Sequence, residues 1–194
     1  MEEKTPMESS DRLFVAVPAP PSVISSAESW VLRLKDQIVF AKWVHPQDLH
    51  LTLQFLGDVA RNRIDRIAQA VEQAAVGAAP FSLHFQGLGV FGKPSAPSVL
   101  WAGVQGEVEK LGQLQRQIED MMTTLGFVAE NRPYKPHLTL ARKFTGPAGS
   151  QAAMLDIALP DEWQTPWRVK ETALYRSRLG SRPMYERVAS FPLG

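Results

Sequence analysis

The chain has no cysteine, only four histidines, and a formal net charge of +1 over 194 residues. Without cysteine there is no disulfide and no thiolate zinc site, and the composition suits a reducing compartment, so a cytoplasmic location is expected. No apolar run approaches the ~20 residues that cross a bilayer as a helix. Met1 to Asp11 is polar and acidic and lacks the apolar stretch of a secretory signal. Residues 1–11 are therefore expected to form a disordered tail, and residues 12–194 a single domain. There is no His-x-His, no His-Glu-x-x-His and no Gly-x-Ser-x-Gly, so the local signatures of common zinc and serine hydrolases are missing. The 44% hydrophobic fraction is ordinary for a globular protein, and the length suffices for a real core.

Against that background one tetrapeptide stands out. His-Leu-Thr-Leu occurs at His50–Leu53 and again at His137–Leu140, using two of the four histidines. The offset is 87 positions (137 − 50), and the apolar run Leu100 to Val104 lies at the same offset from Leu13 to Val17 (100 − 13). Between each apolar run and its histidine sits a helical pattern, Val23 to Ile38 in one half and Val108 to Leu125 in the other. The chain reads as a duplicated strand–helix–strand unit. Beyond the histidines the register decays, with Phe81 to Val90 and Trp167 to Arg178 as corresponding strands.

Further elements follow from the same patterning. A helix is expected over Arg61 to Val76 and a short one over Ala152 to Leu159. Strands are expected over Arg12 to Val17, Leu49 to Leu56, Arg168 to Leu179 and Met184 to Phe191. Phe91 to Pro97 is the clearest loop and the expected connection between lobes. Pro136 biases Lys135 towards extended geometry and so helps to aim His137. The predicted class is α+β: a bilobal, pseudo-two-fold duplication with antiparallel sheets, helices packed outside and a central groove.

In an extended strand His50 and Thr52 share one face and the two leucines the other; the same holds for His137 and Thr139. One His-Leu-Thr-Leu alone is an ordinary half-buried strand. Two copies at matched positions bring together what metal-free phosphoryl transfer needs: an imidazole to give a proton, one to take it, and hydroxyls to hold phosphate oxygens. One protonated and one neutral imidazole would give a bell-shaped rate between about pH 5 and 8. Thr is a poor zinc ligand, so no metal or other cofactor is expected. His45 and His84 read as surface or satisfied residues, and Trp43 and Trp101 as core or lobe-interface residues able to stack a base. From Arg132 onward ten Lys/Arg face five acids; most of these read as solvated strand positions, yet a basic segment beside the second motif suits an anionic, nucleic-acid-like partner.

The paired motifs resemble those of the two-histidine (2H) phosphoesterase superfamily. The surrounding words, Arg12-Leu13-Phe14-Val15-Ala16, Leu49 to Gly57, Val99-Leu100-Trp101, Pro136 to Arg142 and Leu174-Tyr175-Arg176-Ser177, are similar to the bacterial and archaeal RNA 2′,3′-cyclic phosphodiesterases, also called 2′-5′ RNA ligases. The resemblance implies hydrolysis of an RNA 2′,3′-cyclic phosphate end to a 2′-phosphomonoester. It makes His50 the proton donor, His137 the proton acceptor, and Thr52, Thr139 and Arg142 the substrate-binding residues. The same groups could run 2′-5′ ligation, and a non-catalytic RNA-end binding module is the alternative of another class. Intact histidines speak against the latter, since binding alone needs neither acid nor base. The expected partner is RNA with a cyclic phosphate end, with no membrane and no metal. A monomer is expected.

Overall fold

In the computed structural model, which describes residues 9–93, 96–147 and 155–194, the alternating segments join one antiparallel sheet. Its strands are β1 (Ser10–Pro18), β2 (Phe40–Trp43), β3 (His50–Ala60), β4 (Phe81–Lys93), β5 (Ala96–Gly106), β6 (His137–Phe144), β7 (Trp167–Val169), β8 (Glu171–Ser177) and β9 (Tyr185–Pro192). They lie in the order β7-β4-β5-β6-β3-β1-β8-β9, and β2 attaches to β6. Outward from the centre, β6-β5-β4-β7 matches β3-β1-β8-β9. These are the two lobes.

Chain connectivity forces the sheet to curl. Lys170 alone separates the end of β7 from the start of β8, and two extended residues span at most about 7 Å. Yet β7 and β8 stand six places apart in the strand path. Only a sheet bent into a half-barrel brings them together, and the bend creates a concave face.

The outer face is covered by α1 (Pro21–Lys35), α2 (Ile64–Val76) and α3 (Val108–Thr124). Pro21 opens α1 at a position where its missing N–H is harmless. Each helix buries one stripe, for example Leu111, Leu114, Ile118 and Met122 of α3, spaced three and four apart. Leu51, Leu53, Leu138 and Leu140 are 0%, 4%, 0% and 1% exposed in the same core, and burying each side chain contributes about 2–3 kcal/mol. A one-turn helix, α4 (Asp161–Gln164), plugs the side of this layer with Trp163. Its ring lies 4.9 Å from that of Trp30 and its indole N–H donates to Ser26 Oγ at 2.9 Å. No helix among the described residues is long and apolar enough to cross a membrane.

Several expectations need correction. Ser10 and Asp11 are not tail: they open β1, and buried Asp11 pairs with Arg61 and Arg176. Residues 1–8 lie outside the described residues. Phe91 to Pro97 does not link the lobes. β4 and β5 pair with each other inside one lobe, so residues 91–93 and 96–97 belong to those two paired strands, and residues 94 and 95 lie outside the described residues. The lobes also exchange strands: β4, from the first half of the chain, flanks β5, and β8, from the second half, flanks β1. The strand expected over Arg168 to Leu179 breaks at Lys170 because its two pieces serve opposite lobes. Of the helix expected over Ala152 to Leu159, residues 152–154 lie outside the described residues, and Leu155 to Leu159 is turn and coil; the helical turn comes later, at α4. The helix expected over Val23 to Ile38 starts at Pro21 and ends at Lys35.

Candidate active site

Where the two lobes meet, β3 and β6 are paired through Leu51 and Leu138. These are the second residues of the two tetrapeptides. Antiparallel pairing there sets His50 across from Thr139 and Thr52 across from His137. Strand spacings make this a rectangle about 5 Å across and about 7 Å along the strands. All four flanking residues are half-buried, whereas both leucines are fully buried against the helices.

The last leucine of each motif is a β-bulge. In β1–β3 the register jumps from Val15↔Gln54 to Ala16↔Thr52, skipping Leu53; in β5–β6 it jumps from Leu100↔Ala141 to Trp101↔Thr139, skipping Leu140. Two consecutive residues of each strand then face the core, Leu53 with Gln54 and Leu140 with Ala141, and all four are buried. A bulge inverts the alternation beyond it. Arg142, five positions after His137, would face the core in a regular strand; the bulge turns it to the concave side. Phe55 occupies the equivalent place in the first lobe, with its ring 5.9 Å from Phe14.

Each imidazole is held in the same way. His50 Nδ1 donates to the Asp48 carbonyl at 2.7 Å, and His137 Nδ1 donates to the Lys135 carbonyl at 2.8 Å. A carbonyl only accepts, so both Nδ1 atoms carry a proton and both Nε2 atoms are left for chemistry. His50 Nε2 lies 3.1 Å from Thr52 Oγ1. The Asp48 carboxylate is buried and accepts from the backbone N–H of Met184 and Tyr185 at 2.8 and 2.9 Å. This fixes the start of β9 beside His50, and the Tyr185 ring meets the imidazole edge-on at 5.2 Å. Phe14 lies 4.8 Å from the same imidazole. His137 instead stands against Phe91, edge-on at 4.9 Å, with Trp101 at 6.3 Å. From the segment before β6, Tyr134 donates to the Thr52 carbonyl at 3.1 Å, tying the lobes at the site.

Desolvation by this apolar packing is the main reason that both imidazoles resist protonation. His50 is pushed down to about 4, against a rise from its bond and proximity to Asp48. His137 is also lowered, first by burial and then by the charges of Arg142 and Lys135. Arg142 disfavours the charged form of both histidines, so its guanidinium is within electrostatic reach of both. It is exposed and makes no ion pair among the described residues, and Lys42 of β2 pairs beside it. The arrangement offers two Nε2 atoms, two hydroxyls and a cation without an ion-pair partner among the described residues, all on the concave face.

Three of the other basic residues beyond Arg132 are ion-paired away from the motifs: Arg176 with Asp11 and Glu186, Arg178 with Glu186, and Arg187 with Glu171. His45 accepts from the Gln47 backbone N–H with its ring nitrogen, and half-buried His84 sits in β4; neither is bonded to the motif pair. Trp43 packs on the core against Phe40. Among the described residues no three His, Asp or Glu side chains gather as metal ligands. Sequence reasoning missed Asp48, Tyr185 and Tyr134. Each acts through a partner far along the chain, and only the odd spacing of Arg142 hinted at a bulge.

The profile of the 2′-5′ RNA ligase superfamily matches residues 20–180. The RNA 2′,3′-cyclic phosphodiesterase of Geobacillus stearothermophilus is 38% identical over 180 residues, 93% of this chain but only 56% of that longer protein. The protein of the same name from Bacillus subtilis (strain 168) is 32% identical over 181 residues, 93% of this chain and 95% of its own. The crystal structure of TT0787 of Thermus thermophilus superimposes with a TM-score of 0.77 at 28% identity, covering 94% of this chain and 97% of that one. With most of its length matched and both motifs at the meeting of the lobes, the chain belongs to the 2′-5′ RNA ligase superfamily.

Proposed function

We propose that the protein hydrolyses RNA 2′,3′-cyclic phosphate ends to 2′-phosphomonoesters by acid–base catalysis between His50 and His137. The observation that carries this reading is the Leu51–Leu138 pairing, which sets an Nδ1-anchored imidazole and a hydroxyl from each lobe around one space. The names carried by the bacterial relatives support the substrate class.

In the proposed reaction His137 Nε2 takes a proton from water as the oxygen attacks phosphorus. The P–O3′ bond breaks, and His50 Nε2 gives its proton to the departing 3′-oxygen. Thr52 and Thr139 donate to the non-bridging oxygens, and Arg142 offsets the charge that grows on them. His50 is neutral near pH 7 in the empty site, so its acid role depends on the substrate. A phosphate anion next to Nε2 favours the imidazolium, and the Thr52 hydroxyl turns from Nε2 to a phosphate oxygen.

The test is product identification with an RNA ending in 2′,3′-cyclic phosphate. A 2′-phosphate product with a free 3′-hydroxyl supports the proposal, whereas a 3′-phosphate would reverse the leaving group and overturn it. Adding a 5′-hydroxyl RNA measures whether ligation competes with water at the same site.

A further inference from the structure

The two lobes differ at the outer end of the motif strands. In the first lobe β3 begins at His50 opposite Pro18, where β1 also ends. In the second, β6 begins at His137 opposite Gly103, but β5 runs on to Gly106. Val104 to Gly106 therefore have β4 on one side and no strand on the other. The equivalent hollows differ accordingly: about 300 Å³ between α1 and Trp43–Gln47, and about 1070 Å³ between α3 and Arg132–Pro136.

The larger groove has a built floor. β4 bulges at Gln86–Gly87, where the register to β5 shifts and Gly87 takes φ +68°, a backbone open to glycine. Gly103 lies so close that a Cβ would meet the Gln86 carbonyl oxygen at 2.5 Å. Trp101 and Lys135 form the end next to the site. The Lys135 ammonium lies 4.7 Å over the Trp101 ring, and the Lys135 carbonyl anchors His137. Arg132, Arg116 and Gln113 of α3, and Gln105 of β5 also line the groove. None of Arg116, Arg132 and Lys135 makes an ion pair among the described residues. Glu109 and Glu119 also line the groove, so its charge is mixed rather than uniformly basic.

We infer that this groove is a second binding subsite, for the nucleotide immediately 5′ of the reacting RNA end; the inference rests on the function proposed above. The volume of about 1070 Å³ is slightly above the roughly 300–1,000 Å³ of small-molecule pockets and far exceeds what one phosphate needs. Exposed glutamines offer a donor and an acceptor each, which matches the edge of an unstacked base and is poorly suited to a lipid or an acidic peptide. Lys135 and Arg132 are placed to take the phosphate that links this nucleotide to the end held at His137. The first lobe has no strand overhang and only the hollow of about 300 Å³, so the RNA strand leaves the site along the larger groove.

The test compares a 2′,3′-cyclic mononucleotide with a dinucleotide carrying the same end, in wild type and in the double variant Gln113→Glu, Arg116→Glu. Both positions are on the surface of α3, away from the imidazoles. The expected result is a kcat/KM for the dinucleotide about tenfold or more above that of the mononucleotide, as one charge-assisted contact allows. The double variant should lose that advantage yet keep mononucleotide turnover within about twofold. Mononucleotide turnover with no dinucleotide advantage, or an advantage the variant retains, overturns the subsite and leaves the proposed function standing. Failure to turn over either substrate removes the proposed function instead. The subsite is then read independently, with a dinucleotide bearing a photoreactive 5′ base. Crosslinks to α3 or Gln105 support the groove, and crosslinks to α1 or Trp43–Gln47 contradict it.

Discussion

Leu51 of β3 pairs with Leu138 of β6, and that one contact sets the diagonal arrangement of His50, His137 and the two threonines. The leucines fix the geometry from the buried side while the polar residues stay on the concave face. Enlarging or shrinking either leucine should therefore disturb catalysis without touching a reacting group. Leu138→Ala should cost about 2–5 kcal/mol of stability, the range for a buried leucine. It should lower kcat more than it raises KM for a cyclic mononucleotide, as read from denaturant unfolding and steady-state kinetics on the folded fraction. An unchanged kcat would separate the pairing from the site.

The depressed imidazoles move the pH optimum. A reaction needing one charged and one neutral histidine should show a bell in kcat/KM with both limbs below the ordinary histidine value near 6.5, one of them near the value of about 4 to which His50 is pushed. This is more acidic than the bell between about pH 5 and 8 that unperturbed imidazoles would give. The kcat profile, reporting the complex, should lie at higher pH because the bound phosphate favours the imidazolium. Limbs of kcat/KM both above 6.5 would contradict the burial argument.

The same burial links pH to stability. Between the unfolded histidine value near 6.5 and the folded value of about 4, the unfolded chain binds a proton that the folded His50 refuses. Stability should therefore fall as the pH is lowered through that interval. His50→Gln should flatten the slope in a series of thermal melts, and an unaltered slope would show that His50 titrates normally.

Asp48 holds the first lobe's side of the site. Asp48→Ala leaves the N–H groups of Met184 and Tyr185, which are only partly buried, without their acceptor, so the loss should be about 1 kcal/mol each, the low end of the range for an orphaned donor. Asp48→Asn keeps one acceptor but removes the charge that favours a protonated His50, so its acid limb should shift further down in pH. A Tm loss without a shifted limb would confine Asp48 to a structural role.

Arg142 is predicted to act on the phosphate. Arg142→Ala should raise KM and lower kcat together, and Arg142→Lys should restore only part, because an ammonium lacks the planar fork of donors. Removing the cation should also let both histidines protonate at higher pH, since it depresses both. Kinetics and pH limbs unchanged in Arg142→Ala would place the guanidinium away from the substrate.

Much of this was legible in the chain. The repeat at an offset of 87 gave the pairing of the lobes, and alternation gave the face carrying each His and Thr. Strand exchange was not legible, because Phe81 to Val90 and Trp167 to Arg178 look alike but carry no mark of which lobe they complete. Nor was the break at Lys170, which follows from closure of the curled sheet and not from local propensity. The bulges at Leu53 and Leu140 leave only a faint trace, the odd offset of Arg142 from His137. Asp48 looks like any turn aspartate until Met184 and Tyr185 are brought onto it from 136 and 137 positions away.

The most direct test of a site built from side chains alone is single-turnover hydrolysis of a 2′,3′-cyclic phosphate RNA in excess EDTA, by wild type and by His50→Ala and His137→Ala. Wild type should yield the 2′-phosphate at its chelator-free rate. Each variant should be slower by about a hundredfold or more, the usual worth of a positioned acid or base. Activity lost in EDTA and restored by one divalent ion, or a histidine variant with near wild-type turnover, would contradict the account.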